Sequence, residues 1–86
     1  MVITELAKTK IQELLEKNKA NFLNISLAGN DVDGFQTIIT FENDYPMEFI
    51  TITQTPTVLI KPIIYIKFAN SILDFNEQAN ELTLRF

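Results

Sequence analysis

Carboxylate, amide and glycine are gathered most densely in Gly29-Asn30-Asp31-Val32-Asp33-Gly34-Phe35. Asp31 and Asp33 offer hard oxygen donors and are the candidate metal ligands of the chain, since a divalent cation such as calcium takes several such oxygens. Their spacing does not make a calcium loop. With Gly34 set at the sixth loop position, the first falls on Gly29 and the twelfth on Thr40, neither of which supplies a carboxylate. The plainer reading is a turn in which Asn and Asp bond to their own backbone and glycine takes the positive φ. Loops carried on a rigid β scaffold are nonetheless where sites usually lie.

Other chemistries lack their parts. The sequence has no Cys and no His, so a Ser or Thr nucleophile has no imidazole to activate it, and soft-metal ligation has no thiolate. Acid–base work by paired carboxylates requires environments that drive their pKa values apart, which an exposed turn does not provide. Tyr45 and Tyr65 read as packing residues with a wet tip. The expectation is a protein that is not an enzyme, with no catalytic residue and no cofactor.

The net charge of −4 and a pI near 4.6 argue against a nucleic-acid surface, which needs a stripe of Lys and Arg against phosphate. The basic residues are scattered, and Lys8, Lys10, Lys17 and Lys19 share the N-terminal stretch with Glu5, Glu13 and Glu16 as a solvated mixed-charge face. No apolar run reaches the roughly 20 residues of a membrane span, and the longest, Thr57 to Phe68, is interrupted by Lys61, Pro62 and Lys67. Nor is there a basic, then apolar, leader at the N-terminus. The expected setting is the cytoplasm, as a single domain over 1–86.

The elements that must position the loop follow from periodicity. Thr4 is a good N-cap, and Ile3, Ala7, Ile11, Leu14 and Leu15 recur at helical spacing, predicting an amphipathic helix over Thr4 to Asn18 with a Glu13–Lys17 pair on its outer face. Asn18-Lys19-Ala20-Asn21 is a helix stop in which asparagine can take the left-handed cap. Leu23, Ile25 and Leu27 alternate with polar residues as a strand, and Phe35 to Glu42 forms a second, apolar in part on both faces. After the turn Asn43 to Pro46 come strands over Met47 to Thr53 and Val58 to Ile60, the latter buried on both faces. Ile63 to Phe68 has strand propensity, yet Ile60, Ile64 and Phe68 permit a short helix on the sheet. A terminal hairpin joins Ile72 to Phe75 with Leu82 to Phe86, where Leu82, Leu84 and Phe86 face inward. The fold class is α+β, mostly β, with the N-terminal helix packed on antiparallel strands.

Three stretches in this order resemble the HesB-like domain of A-type iron–sulfur cluster carriers. Ile3-Thr4-Glu5-Leu6-Ala7 followed by Lys10-Ile11-Gln12-Glu13-Leu14-Leu15 is similar to the family's Thr-Glu-x-Ala helix start and Lys-Ile-x-x-Leu-Leu continuation. Val32-Asp33-Gly34-Phe35-Gln36 lies where the family reads Cys-Ser-Gly-Phe. Lys61 to Phe75 fits without a gap on a family segment closing in Val-Asp-Phe or Ile-Asp-Tyr, here Leu73-Asp74-Phe75. The family's Leu-Asp-Gly is Phe68-Ala69-Asn70 in this sequence, so that Asn70 stands for a glycine and can take a positive φ.

The resemblance implies a HesB-like sandwich or half-barrel, with Ile63 to Phe68 as a helix. It also implies a ligand set that this chain does not carry. The family holds iron or a cluster on one loop cysteine and a C-terminal Cys-Gly-Cys; the loop position is Val32 here, and the sequence reaches Phe86 without the second motif. Two readings follow, both resting on protein partners rather than on nucleic acid or membrane. One is a cysteine-free accessory protein that still touches iron–sulfur assembly components. The other is a structural module that self-associates through its β edges, and the apolar Val58 to Phe68 stretch favours a homo-oligomer in either case.

Overall fold

The computed structural model describes every residue except 31 and 33, and at 30 and 35 the backbone alone. The chain runs β1 (Val2–Ile3), α1 (Glu5–Asn18), β2 (Phe22–Asn30), β3 (Gly34–Glu42), β4 (Ile50–Gln54), β5 (Thr57–Ile60), α2 (Pro62–Phe68), β6 (Ile72–Asn76) and β7 (Glu81–Arg85). The strands form two sheets, one ordered β1-β6-β7 and the other β3-β2-β5-β4. This is the α+β, strand-rich sandwich expected, with a helix across it. The hairpins β2–β3, β4–β5 and β6–β7 are antiparallel, while β1 runs parallel to β6 and β2 parallel to β5.

Helix α1 begins where the sequence calls for it. The Thr4 hydroxyl accepts the Ala7 N–H at 3.2 Å, and Glu5 stands in the positively polarised first turn. Ala7, Ile11 and Leu15, spaced by four, are buried on one face. Burying three such side chains against a core stabilises the helix far more than its intrinsic propensity, which alone leaves a helix this short marginal. The helix ends on Lys19 at φ 53°, not on an asparagine. Asn18 instead stays helical and donates its side-chain amide to the Leu14 carbonyl at 2.7 Å, so the left-handed turn passes to the next residue. Lys19 and Ala20 then donate back to Glu16 and Leu15, satisfying the last carbonyls.

Strand β5 sits inside its sheet between β2 and β4, and Val58, Leu59 and Ile60 are all fully buried, as a continuous apolar run predicts. Val58 and Ile60 join Leu23, Ile25, Leu73, Phe75 and the buried face of α1 in the main core. Phe22 and Leu59 are buried outside that cluster. Over Phe22 the chain between β3 and β4 folds back, stacking the Tyr45 ring at 4.7 Å with Phe49 5.6 Å beyond it. That return explains why β4 starts at Ile50 rather than Met47, whose side chain is fully exposed.

Ile63 to Phe68 is helical, and Pro62 decides it. Proline at the first helical position lacks an N–H the helix would not use, and its fixed φ suits a helix start. Ile64 and Phe68 then turn toward the core while Ile63 and Ile66 point out. Ser71, 1% exposed, closes the end by donating both its N–H and its hydroxyl to the Phe68 carbonyl, at 3.0 and 2.6 Å. Asn70 does not take the glycine-like role, because the non-glycine residues at positive φ are Lys19 and Asn80 among the described residues. The helix ends instead on Ala69 in right-handed geometry. Phe86 is largely exposed, not inward; β7 stops at Arg85, and the Phe86 ring leans on Phe68 at 5.5 Å.

Candidate functional site

Three places could do something: the tip of the β2–β3 hairpin, a cleft beside α1, and an apolar groove at the start of α2. The tip is held by a ladder that remains paired to Gly29 with Phe35 and Asn30 with Gly34. Gly29 (φ 109°) and Gly34 (φ 85°) supply the two positive φ values at its ends, which L side chains rarely adopt. Val32 sits between them at 91% exposure, outside the core. Asp31 and Asp33, the candidate metal ligands of the sequence, lie outside the described residues. Among the described residues no group of three or more Asp, Glu, His or Cys side chains comes together.

The cleft opens where the two sheets part under α1 and encloses about 450 Å³. Ile39 and Phe41 of β3 form one wall, Phe75 of β6 and Leu82 of β7 the other, and Leu14 the roof. Lys10 crosses it with Nζ 5.4 Å from the centre of the Phe75 ring and 3.5 Å from Glu13. This pairing replaces the expected Glu13–Lys17 bridge, because the Phe75 face draws Lys10 inward and Glu13 follows it. Lys17 and Glu81 complete a rim of mixed sign. No one segment of the sequence carries this cleft, since four elements contribute to it. The nearest signal was Leu14 beside Leu15, one leucine too many for a narrow buried stripe.

Beside Phe75 on β6 but outside the cleft, Asp74 fastens α1 to the sheet. The Thr4 hydroxyl that caps the helix donates to Asp74 Oδ1 at 2.7 Å, the Phe75 N–H donates to the same oxygen at 2.8 Å, and Arg85 reaches Oδ2 at 3.4 Å. The Thr4 hydrogen bond is the main reason the Asp74 carboxyl titrates below its ordinary value; the Phe75 N–H and then Arg85 add to it, and partial burial opposes them. An acid drawn down by structural hydrogen bonds serves as an anchor, not as a proton donor near neutrality.

The groove lies between the return loop and α2, lined by Pro46, Met47 and Glu48 on one wall and Lys61, Pro62 and Ile63 on the other. Its walls are mostly hydrocarbon, and the sequence hinted at it only through the apolar run ending in Phe68.

Two sheets, a capped helix across them and a glycine-ended hairpin define an α+β sandwich also found among solved structures. The chain is similar to Escherichia coli SufA, a protein involved in the biosynthesis of iron–sulfur clusters, with a TM-score of 0.80 and 13% identity over 99% of this chain and 76% of that one. It is also similar to an Aquifex aeolicus protein solved by solution NMR, with a TM-score of 0.70 and 19% identity over 98% of this chain and 88% of that one. No protein-family model and no curated protein matches the sequence. At such identities the likeness is one of fold. The residues present do not fit a cluster as cargo: the chain contains neither thiolate nor imidazole, and the hairpin tip presents an aliphatic side chain. No helix among the described residues is long and apolar enough to cross a membrane.

Proposed function

We propose that this chain is a cysteine-free module with the HesB-like fold that works through protein contacts in iron–sulfur cluster assembly, without holding a cluster and without catalysing a reaction. The observation that carries the reading is Val32, an exposed aliphatic residue at the hairpin tip of a chain whose fold is shared with SufA along nearly its full length. A thiolate there would bind iron; an isopropyl group cannot. The remaining surface is acidic overall, which suits protein partners in the cytoplasm better than nucleic acid.

Anaerobic reconstitution with iron and sulfide, followed by visible absorption, is expected to give no protein-bound chromophore. A stoichiometric cluster spectrum overturns the proposal. Co-purification from the native host is expected to enrich iron–sulfur assembly proteins.

A second reading has its own support. Strands β3, β4 and β7 are each paired on one side only, and β3 carries the part-exposed Ile38 outward. Such edges can add a strand from another chain. Under this reading the module is structural and self-associating, and co-purification returns the chain itself without assembly proteins.

A further inference from the structure

The cleft under α1 joins an apolar interior to a rim whose charges are not all used. Leu14, Ile39, Phe41 and Leu82 line it and are each only half-buried, so the core leaves part of their hydrocarbon uncovered. It lies between β3 and β7, the strands at which the two sheets end, and neither sheet supplies a further strand to close it. At the rim, Lys10 and Glu13 stand 3.5 Å apart and neutralise each other. Lys17 and Glu81 line the same cleft, yet neither forms an ion pair with the other or with another of the described residues. One free cation and one free anion thus flank a hydrocarbon interior, with the Asn80 amide beside Glu81 able to donate or accept. Concave apolar sites with a few convergent polar groups are where small molecules bind.

We propose that this cleft binds a small zwitterion with a planar apolar body, namely a free aromatic α-amino acid. The ring enters between the wall of Ile39 and Phe41 and the wall of Phe75 and Leu82, where aromatic neighbours add to the burial of hydrocarbon. The carboxylate then meets Lys17 and the ammonium meets Glu81. Charge decides the class of ligand. A simple anion would leave Glu81 unmatched and would approach a chain of net charge −4, while a simple cation would leave Lys17 unmatched. A zwitterion answers both charges at once. The space of about 450 Å³ admits an indole or phenyl side chain together with its amino and carboxyl groups. This goes beyond contacts with protein partners and is independent of them, because it concerns a different ligand at a different place.

Titration of the intact chain with L-tryptophan, followed by NMR, tests it. The chain contains no tryptophan, so every indole signal belongs to the ligand, and its contacts with the methyl groups of Leu14, Ile39 and Leu82 locate it directly. A dissociation constant on the order of 0.1–1 mM is expected for a ligand of this size in an open cleft. Three further probes separate the charges: tryptamine lacks the carboxylate, indole-3-propionate lacks the ammonium, and indole lacks both. Tryptophan is expected to bind about threefold tighter than either singly charged probe and about tenfold tighter than indole, as solvent-exposed ion pairs allow. Lys17→Gln is expected to weaken tryptophan and indole-3-propionate about threefold and to leave tryptamine unchanged; Glu81→Gln is expected to do the converse. Both side chains are exposed, so circular dichroism melts of the variants are expected to match wild type. No binding at millimolar tryptophan overturns the proposal, as do ligand contacts confined to another face. Equal affinity for all four probes, or a response to one charge and not the other, overturns it as well. Cluster reconstitution and co-purification are read on separate signals, so failure here and failure of the functional reading remain distinguishable.

Discussion

The two helices of this protein are built on opposite plans. Helix α1 is closed at both ends, by the Thr4 hydroxyl and by the left-handed Lys19, and every fourth residue of its inner face is buried. Helix α2 has half the length and no side-chain cap at its start, where only a backbone bond from Ile64 to Lys61 and the preset geometry of Pro62 hold it. It buries Phe68 and turns two isoleucines outward. A helix that needs its apolar residues for the core satisfies its ends locally. One that keeps them on the surface is positioned by its neighbours and leaves hydrocarbon available for contact.

The contrast breaks most sharply by truncating one isoleucine in each helix. Ile11→Ala in α1 is expected to lose about 2–5 kcal/mol in denaturant unfolding, as a fully buried side chain leaves a cavity. Ile63→Ala in α2 is expected to stay within about 0.5 kcal/mol of wild type when measured in dilute solution. Similar losses at the two sites would show that α2 is as deeply embedded as α1. Removing the cap comes next in size: Thr4→Ala is expected to destabilise by about 1 kcal/mol, with the loss visible as faster amide exchange in the first turn of α1. Protection unchanged at Ala7 would separate the cap from the helix.

Acid sharpens the comparison more gently, because it loosens only the helix tied to Asp74. The native carboxyl binds its proton less readily than the unfolded one, whose ordinary value is 3.8. Its contribution is therefore complete above that value and disappears as pH falls through the lower native value. Asp74→Asn is expected to be less stable than wild type near neutrality, with the gap narrowing as pH falls below 3.8. A gap that stays constant with pH would mean that the misfit of the new amide, not the loss of the charge, destabilises the variant.

Much of this architecture was legible because it is local. Helical spacing placed α1, alternation placed β2 and the terminal hairpin, and the unbroken apolar run Val58 to Ile60 announced a strand buried on both faces. Helix α2 was ambiguous in composition, since isoleucines favour strands, and was decided by where Pro62 fell. Strand β1 has two residues and no period to read. Both parallel pairings join segments far apart in the chain, and no local pattern specifies a partner across that distance. The site divides the same way. The hairpin turn was visible as a cluster of turn formers, whereas the cleft draws on α1, β3, β6 and β7 and the groove on a loop and a helix start.

The parallel pairing of β1 bears on how the chain is made as well as on how it stands. The amino group of Met1 donates to Ala69, Val2 to Ser71 and Thr4 to Leu73, so the residues before α1 are secured by β6 and the turn that leads into it. During synthesis α1 emerges early, but its seat does not exist until β6 has left the ribosome. Until then its buried stripe has nothing to cover it, and closing a contact of such long sequence separation is a slow step. Folding of this small domain is thereby deferred until β6 has emerged, and α1, though made early, has to wait for the strand that seats it.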